Sequence, residues 1–465
     1  MSKKITMDTN KIGFYSKLLL AFSPRRIEKY PTSKREEIRV LRVICQRPYF
    51  TGSGINHVNL LQKGKQKSIK QASVFGHPVG EPNPLSKILD SEYIFPITFF
   101  NPKKPNNSSD IPFPVVGMSD EMPYESTTFS SFDEEMLEIY LEQFAKQLQA
   151  AVSKFQPNII HSHHLWLVTS LCRVLFPQIP LLATCHNTAL RQMELSPQLR
   201  DFVKRPTQGI DAIAVIDEIQ QKRVEKLYDF NEGVQGRNQF FHIGQGINTN
   251  IFSPPETPNK RDFEDPIKLI YVGKLNYSKG VPQLIRAFKE VAKESSIPLQ
   301  LNIIGSGQGP QKEKIYSMGK ECGEEVCFLG QLDQEKLAKY FRKSDLFILP
   351  SFYDGFPKVL LEALSSGCRA IITDLPGIKT TLFNKCGPNQ TVQFIPMPKM
   401  KTIDEPLPEE IPEFVENLKT LIKKQISFIL EQEDNFEYAQ EIRRAFGWDA
   451  LFQAYFKKYQ QLLDS

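Results

Sequence analysis

The chain of 465 residues contains no unbroken apolar run of the roughly 20 residues that a membrane-spanning helix requires. The longest candidate near its start, Ile12 to Phe22, is short and carries Lys17, and the following Ser23-Pro-Arg-Arg lacks the small-residue pattern of a leader cleavage site. Cysteine is scarce: seven residues, an odd number without a Cys-x-x-Cys pair, which excludes a disulfide scaffold or a zinc ribbon and points to a reducing compartment, the cytoplasm. The net charge of +5 is small for this length, and no dense basic tract exceeds Lys63-Gly-Lys-Gln-Lys67, so nucleic acid is not an expected partner. No repeat of solenoid length is present. With Lys3, Lys4, Lys11, Arg25 and Arg26 nearby, residues 12–26 have the composition of a peripheral helix at the inner membrane face. The expected use is a helix packed on the protein itself, with membrane contact as the alternative.

What is present is a long alternation of apolar strands, turns and amphipathic helices, the mark of βαβ units around parallel sheets. Val40–Cys45 reads as a strand entering Thr51-Gly-Ser-Gly54 and a short helix over 55–62. Asn158–His161, Leu181–Cys185 and Ala212–Ile216 are further strands, and Glu134–Phe155 is a long helix. Asn101–Thr128, rich in Pro, Asn and Ser, reads as a mobile loop or insertion. The Pro- and charge-rich stretch 253–262 reads as a linker, after which strands recur at Lys268–Gly273, Leu299–Gly305, Val326–Gly330, Leu346–Leu349, Arg369–Thr373 and Val392–Ile395. The expectation is an α/β protein of two Rossmann-like domains with parallel sheets facing a cleft. They would span residues 38–252 and 263–445, with an extension over 1–37, a surface loop over 396–412 and a last helix over 446–465.

Chemistry concentrates in Ser351–Gly367. A buried strand ends at Pro350, Asp354-Gly355 is a turn, and Pro357 suits the first turn of a helix that Gly367 can end. A helix start at a strand's carboxyl end suits a diphosphate, because its N–H groups are unpaired. Asp354 would lie beside the phosphates and Glu362 more than one turn into the helix. The competing reading makes Asp354 a turn residue and Glu362 part of a solvated stripe with Lys358 and Ser365. Lys274 and Lys279 flank the turn Leu275–Ser278 after another strand, where two ammonium groups suit a pyrophosphate. The glycines of Thr51-Gly-Ser-Gly54 and Gly305-Ser-Gly-Gln-Gly309 admit either close ligand approach or a tight turn without any ligand. His161-Ser-His-His164 and Thr184-Cys-His-Asn-Thr188 put histidines at two strand ends. Neighbouring rings there should diverge and no Cys or carboxylate completes a metal spacing, so hydrogen bonding is expected and metal is not. His186 is the candidate for a sugar, and His161 for the core.

Taken in order, His161-Ser-His, Thr184-Cys-His, Gly244 to Pro254, Gly273-Lys-Leu with Lys279-Gly, Ile304-Gly-Ser-Gly, Asp354-Gly-Phe with Glu362-Ala, and Phe446-Gly-Trp resemble the retaining glycosyltransferases of family 4, built on the GT-B fold. The resemblance covers nearly everything from Ile38 onward. It implies transfer of a sugar from a nucleoside-diphosphate sugar to an acceptor hydroxyl with retention, independent of metal and of any cofactor beyond that co-substrate. By resemblance Lys274 and Lys279 hold the donor diphosphate, Glu362 the ribose, Asp354 the sugar hydroxyls, and His186 lies near the sugar. Gly52 and Gly54 lie beside the phosphates, and Gly305, Gly307, Gly355 and Phe356 complete the donor-binding set. The last helix would cross back to the first domain. Three positions depart from the pattern: Asp354 is shorter than the usual Glu, Lys274 replaces Arg and loses bidentate geometry, and Pro357 removes a backbone N–H. An epimerase or phosphorylase on the same architecture, or a non-catalytic carbohydrate- or partner-binding descendant, are the rival functions. The acceptor, whether glycan, lipid-linked or small molecule, would be chosen by loops such as 101–128 and 191–194.

Overall fold

The computed structural model describes residues 13–23, 37–119, 122–230, 239–256, 265–431 and 435–464. The basic residues expected around the first helix, and most of the 253–262 linker, lie outside them. The chain divides into two compact units, Met1–Gly244 with Phe452–Ser465, and Gln245–Leu451.

The first unit carries β1 (Arg39–Ile44), β2 (Lys70–Pro78), β3 (Ile94–Phe99), a small pair β4 (Val116–Gly117) and β5 (Thr127–Thr128), then β6 (Ile159–His163), β7 (Leu181–Thr184), β8 (Ala212–Val215) and β9 (Gln239–His242). Its seven-stranded sheet runs β3-β2-β1-β6-β7-β8-β9, parallel throughout. Such a sheet is covered on both faces, so its strands are continuous buried runs without alternation; β6, β7 and β8 are buried at every residue. The strands β2, β3 and β9 escape the sequence reading. In Lys70-Gln-Ala-Ser-Val-Phe-Gly-His-Pro78 the polar residues and Gly76 mask a segment buried at eight of nine positions.

Helix Glu134–Phe155 starts at Asp133, whose carboxylate accepts from Met136 N at 2.8 Å, and ends at Gln156 with φ +52°. Its Leu137, Tyr140, Leu141, Phe144, Leu148, Ala151 and Phe155 form the buried stripe expected at helical spacing. Helix Phe14–Ala21 docks on it: the Glu138 carboxylate accepts from Tyr15 N at 3.0 Å and Ser16 Oγ at 2.9 Å, and Leu19 is fully buried. No helix among the described residues is long and apolar enough to cross a membrane. The 101–128 segment, expected to be mobile, is instead tied down. Ile111, Val115, Val116 and Met118 enter the core, and Asp110 accepts from Thr98 N and Oγ1 at 2.8 and 2.6 Å. Its Pro and Asn content hid those apolar anchors.

The second unit holds β10 (Ile267–Val272), β11 (Leu299–Ile304), β12 (Val326–Gly330), β13 (Leu346–Leu349), β14 (Arg369–Thr373) and β15 (Val392–Ile395), again all parallel, in the order β12-β11-β10-β13-β14-β15. All six were legible as apolar runs. The 396–412 stretch is an exposed hairpin-like loop, bridged between Met400 and Pro406, leading into helix Ile411–Leu430. All seven cysteines are free thiols.

Two glycines with the same backbone conformation separate the cost of φ from the cost of crowding. Gly280 and Gly323 both sit at φ +65°, but a Cβ on Gly280 would lie 1.9 Å from Pro350 O, whereas Gly323 faces open space. We predict that Gly323→Ala costs about 1 kcal/mol, the price of the left-handed conformation alone. Gly280→Ala should cost about 3 kcal/mol or more, because backbone must move. Calorimetric unfolding of the two variants measures the difference, and equal losses would contradict it.

Candidate functional site

In each sheet the strand order reverses once, between β1 and β6 in the first unit and between β10 and β13 in the second. Connections leave these neighbours in opposite directions, and a crevice opens at their carboxyl ends, where ligands bind in open α/β sheets. The candidate residues gather at these two points.

In the second unit, Lys274 follows β10 in a turn closed by Asn276, whose Oδ1 accepts from Lys279 N at 3.1 Å. The loop after β13 docks against this turn, with Phe352 N donating to Ser278 O at 2.8 Å. Lys279 Nζ then reaches across, 2.7 Å from Asp354 Oδ2 and 2.9 Å from Tyr353 O. Lys274 is exposed, and its ammonium has no ion-pair partner among the described residues. Pro357 occupies the cap position, one residue before helix Lys358–Ser365; that helix start has no side-chain cap. Gly355 is exposed, and its N–H donates to Asp354 Oδ1 at 3.0 Å.

Glu362 is not part of a solvated stripe. It is 7% exposed, one turn into a helix buried from Leu360 to Ser365, and its Oε1 lies 3.5 Å from Lys358 Nζ. Burial pushes its carboxyl above the usual carboxylate range, and Lys358 offsets this in part. Phe356 is buried against Phe446, ring centroids 6.0 Å apart, so its ring serves the core of the unit. Gly305 and Gly307 have a packing reason to be glycine. Their Cβ atoms would lie 1.8 Å from Gly273 O and 2.5 Å from Leu275 O, since the two loops pass backbone to backbone.

In the first unit, Thr51 caps helix Gly52–Gln66, accepting from Gly54 N at 3.1 Å. Gly54 fits under Arg47 O, where a Cβ would approach to 2.6 Å, while Gly52 faces open space. Gln46 donates to Thr51 Oγ1 at 2.8 Å and to Ser53 Oγ, and lies 3.5 Å from His164 Nε2. His186 sits at the cap position of helix Asn187–Leu195, and its Nε2 is 3.1 Å from His163 Nδ1. The expected divergence of His163 and His164 does not occur. His164 adopts φ +69°, and both rings meet His186, at centroid distances of 5.4 and 4.7 Å. His186 is half-buried, and the desolvation of its ring lowers its pKa to about 4. His161 is fully buried, 2.8 Å from Thr184 Oγ1 and 2.6 Å from Tyr459 Oη. Adjacent sequence positions gave no sign of this stack, which brings together five of the seven histidines.

Two α/β units, each with a parallel sheet and a switch-point crevice, give the architecture of a GT-B protein. Two family models match the chain, the Glycosyltransferase Family 4 model over residues 130–234 and the Glycosyl transferases group 1 model over residues 254–385, together a little over half of it. The chain belongs to the group 1 glycosyltransferases. It is 23% identical over 240 residues to a glycogen synthase of Mycobacterium tuberculosis, covering 50% of this chain and 55% of that one. Of the first curated relatives it matches, the chain spans about half the length or less. The fold is similar to a sucrose-phosphate synthase of Thermosynechococcus elongatus (TM-score 0.59, 17% identity, 92% of this chain and 100% of that). It is also similar to a pneumococcal O-GlcNAc transferase solved with UDP and GlcNAc (TM-score 0.57, 12% identity, 93% and 100%).

A buried carboxyl with a raised folded-state pKa stabilises the protein only while protonated, below its unfolded value, and that contribution is lost as pH rises through the folded value. At pH 7 Glu362 therefore costs stability that a glutamine does not. We predict that Glu362→Gln unfolds at or above the wild-type temperature at pH 7, with the advantage vanishing near pH 4, as read by thermal unfolding across that range. A clearly less stable variant at pH 7 would contradict a raised pKa.

Proposed function

We propose that this protein transfers a glycosyl unit from a nucleoside-diphosphate sugar to an acceptor hydroxyl with retention of anomeric configuration, without a metal ion. The observation that carries this reading is the Lys279–Asp354 pair at the β10/β13 crevice, with Lys274 exposed beside it, a helix start without a side-chain cap, and a buried carboxylate at Glu362. Two ammonium groups and unpaired N–H donors at one strand end suit a diphosphate. A carboxylate kept buried against its own solvation suits hydrogen bonds to ribose hydroxyls. The UDP in the pneumococcal neighbour is consistent with a nucleotide co-substrate here.

In the proposed reaction the bond from the anomeric carbon to the departing phosphate oxygen breaks as the acceptor oxygen attaches on the same face. The acceptor proton passes to that phosphate oxygen. Lys274, Lys279 and the helix start at Lys358 stabilise the charge accumulating on the diphosphate, and Asp354 orients the sugar hydroxyls. Gly52 and Gly54 give the other crevice a bare backbone, and neutral His186 offers the sugar a hydrogen bond without a competing charge. Gly305, Gly307 and Gly355 serve by keeping the donor loops close, Phe356 by anchoring them to the core. No metal or further cofactor enters the proposal. The acceptor is a hydroxyl compound of unassigned class. A reducing cytoplasmic setting, with peripheral membrane contact through residues 12–26 for a lipid-linked acceptor, is compatible with the free thiols.

Nucleotide release from a panel of UDP-, GDP- and ADP-sugars, measured with EDTA present, tests this. One donor should be turned over and give a product with the donor's anomeric configuration. Lys279→Met and Glu362→Gln should each lower kcat/KM by about 100-fold or more, the scale for losing one transition-state contact. Absence of both release and binding for every donor would overturn the proposal, and strict dependence on inorganic phosphate would favour a phosphorylase instead.

A further inference from the structure

Arg42 is a fully buried cation in the middle of β1, and among the described residues it has no carboxylate partner. Its side chain is held by neutral groups: Nε donates to Gln71 Oε1 at 2.6 Å, and Nη1 lies 3.1 Å from both His161 Nδ1 and Tyr459 Oη. Nη2 has no hydrogen-bond partner among the described residues. A buried guanidinium without a counter-charge is costly, and the fold retains one directly beneath the strand ends that carry His163, His164 and His186.

The arginine dictates protons around it, because a guanidinium can only donate. We assign His161 Nδ1 as the acceptor at this junction, its one lone pair facing Arg42 Nη1 at 3.1 Å and the Tyr459 hydroxyl, itself an acceptor from Arg42, at 2.6 Å. The ring proton is left on Nε2, where it is donated to Thr184 Oγ1 at 2.8 Å. Thr184 in turn lies 2.8 Å from Tyr455 Oη. One polar chain thus runs from β1 through β6 and β7 to two tyrosines of helix Trp448–Asp464, whose residues from Phe452 on belong to this unit. Above it the imidazoles continue as a stack, His161 on His163 at 5.3 Å and 16°, His163 on His186 at 5.4 Å and 24°. His57, from helix Gly52–Gln66, meets His163 edge-on at 5.1 Å.

We infer that Arg42 is a positioning residue: it fixes His161 as the neutral Nε2–H tautomer, ties the last helix to that ring through Tyr455 and Tyr459, and keeps the histidine stack ending at His186 uncharged. Charging His161 would set two cations 3.1 Å apart and turn an N–H toward an N–H. The other titratable groups facing the stack are imidazoles, the two buried phenols and the buried Cys185 thiol, so among the described residues no carboxylate compensates. Burial and the Arg42 charge act in the same direction on His57 and His161, and burial acts first on both.

The consequence for turnover rests on the proposed function, but the central test does not. Histidine ring 15N–1H spectra of the full chain should show His161 protonated at Nε2 and bare at Nδ1, with no titration of His57, His161, His163, His164 or His186 between pH 5 and 8. Finding His161 protonated at Nδ1, or charged at pH 6, overturns the inference whether or not any variant folds. In Arg42→Met at least one ring of the stack should begin to titrate within that range, and the acid limb of donor turnover should move toward neutrality by about one pH unit, while Arg42→Lys keeps the wild-type profile. A folded Arg42→Met protein with unchanged ring shifts and an unchanged pH profile also overturns it. Correct ring shifts in a protein that turns over no donor would sink the transferase reading alone.

Discussion

A parallel sheet in which two neighbouring strands send their connections in opposite directions leaves a crevice at their carboxyl ends that no helix covers, and each unit of this protein is organised around one. At β10 and β13 the loops leaving the sheet must come close without colliding, and the sequence answers with glycine where backbone meets backbone. Gly280 lies against Pro350 O, Gly305 against Gly273 O, and Gly307 against Leu275 O. Only after these approaches are made can Ser278 O accept from Phe352 N and Lys279 reach Asp354. The charged pair is thus the last consequence of loop packing. Being partly exposed, it contributes little to stability for its own sake.

Most of the fold was legible because parallel strands are buried on both faces and read as continuous apolar runs, as in Leu346–Leu349 or Ala212–Val215. The strand Lys70–Pro78 was not, because its burial is met partly by polar side chains with specific partners, Gln71 on Arg42 and Ser73 on His57. Such pairing is a property of the folded sheet and has no periodic trace. The 101–128 segment misled for the opposite reason: its Pro and Asn content is real, yet four buried apolar residues, Ile111, Val115, Val116 and Met118, suffice to pin it to the core.

At the site, the lysines, the acidic turn and the glycine loops could be singled out from spacing, since each follows a strand and precedes a helix. What spacing could not supply was burial. Glu362, with Lys358 and Ser365 at helical intervals, has the pattern of a wet stripe, but helix Lys358–Ser365 is packed on nearly every side, and the carboxylate goes inside with it. The histidine stack was equally silent. His57, His163 and His186 come from three separate segments, and His164 joins them only because its backbone turns into the left-handed region.

The two crevices differ in electrostatic kind, and this follows from what surrounds them. Around Lys274, Lys279 and Asp354 the loops are partly wet, charges of both signs coexist, and an incoming polyanion meets cations that need little desolvation. Around His163 the interior is closed to solvent, His186 is half-buried at its edge, and the cation buried among these rings is Arg42, which has no carboxylate partner among the described residues. Charging those rings would add a second buried positive charge to the first, a cost that imidazole avoids by staying neutral. A neutral imidazole keeps one donor and one acceptor, which is the complement of a hydroxyl and not of a phosphate. The neutrality of the first unit's crevice thus follows from burial and from the charge of a single arginine.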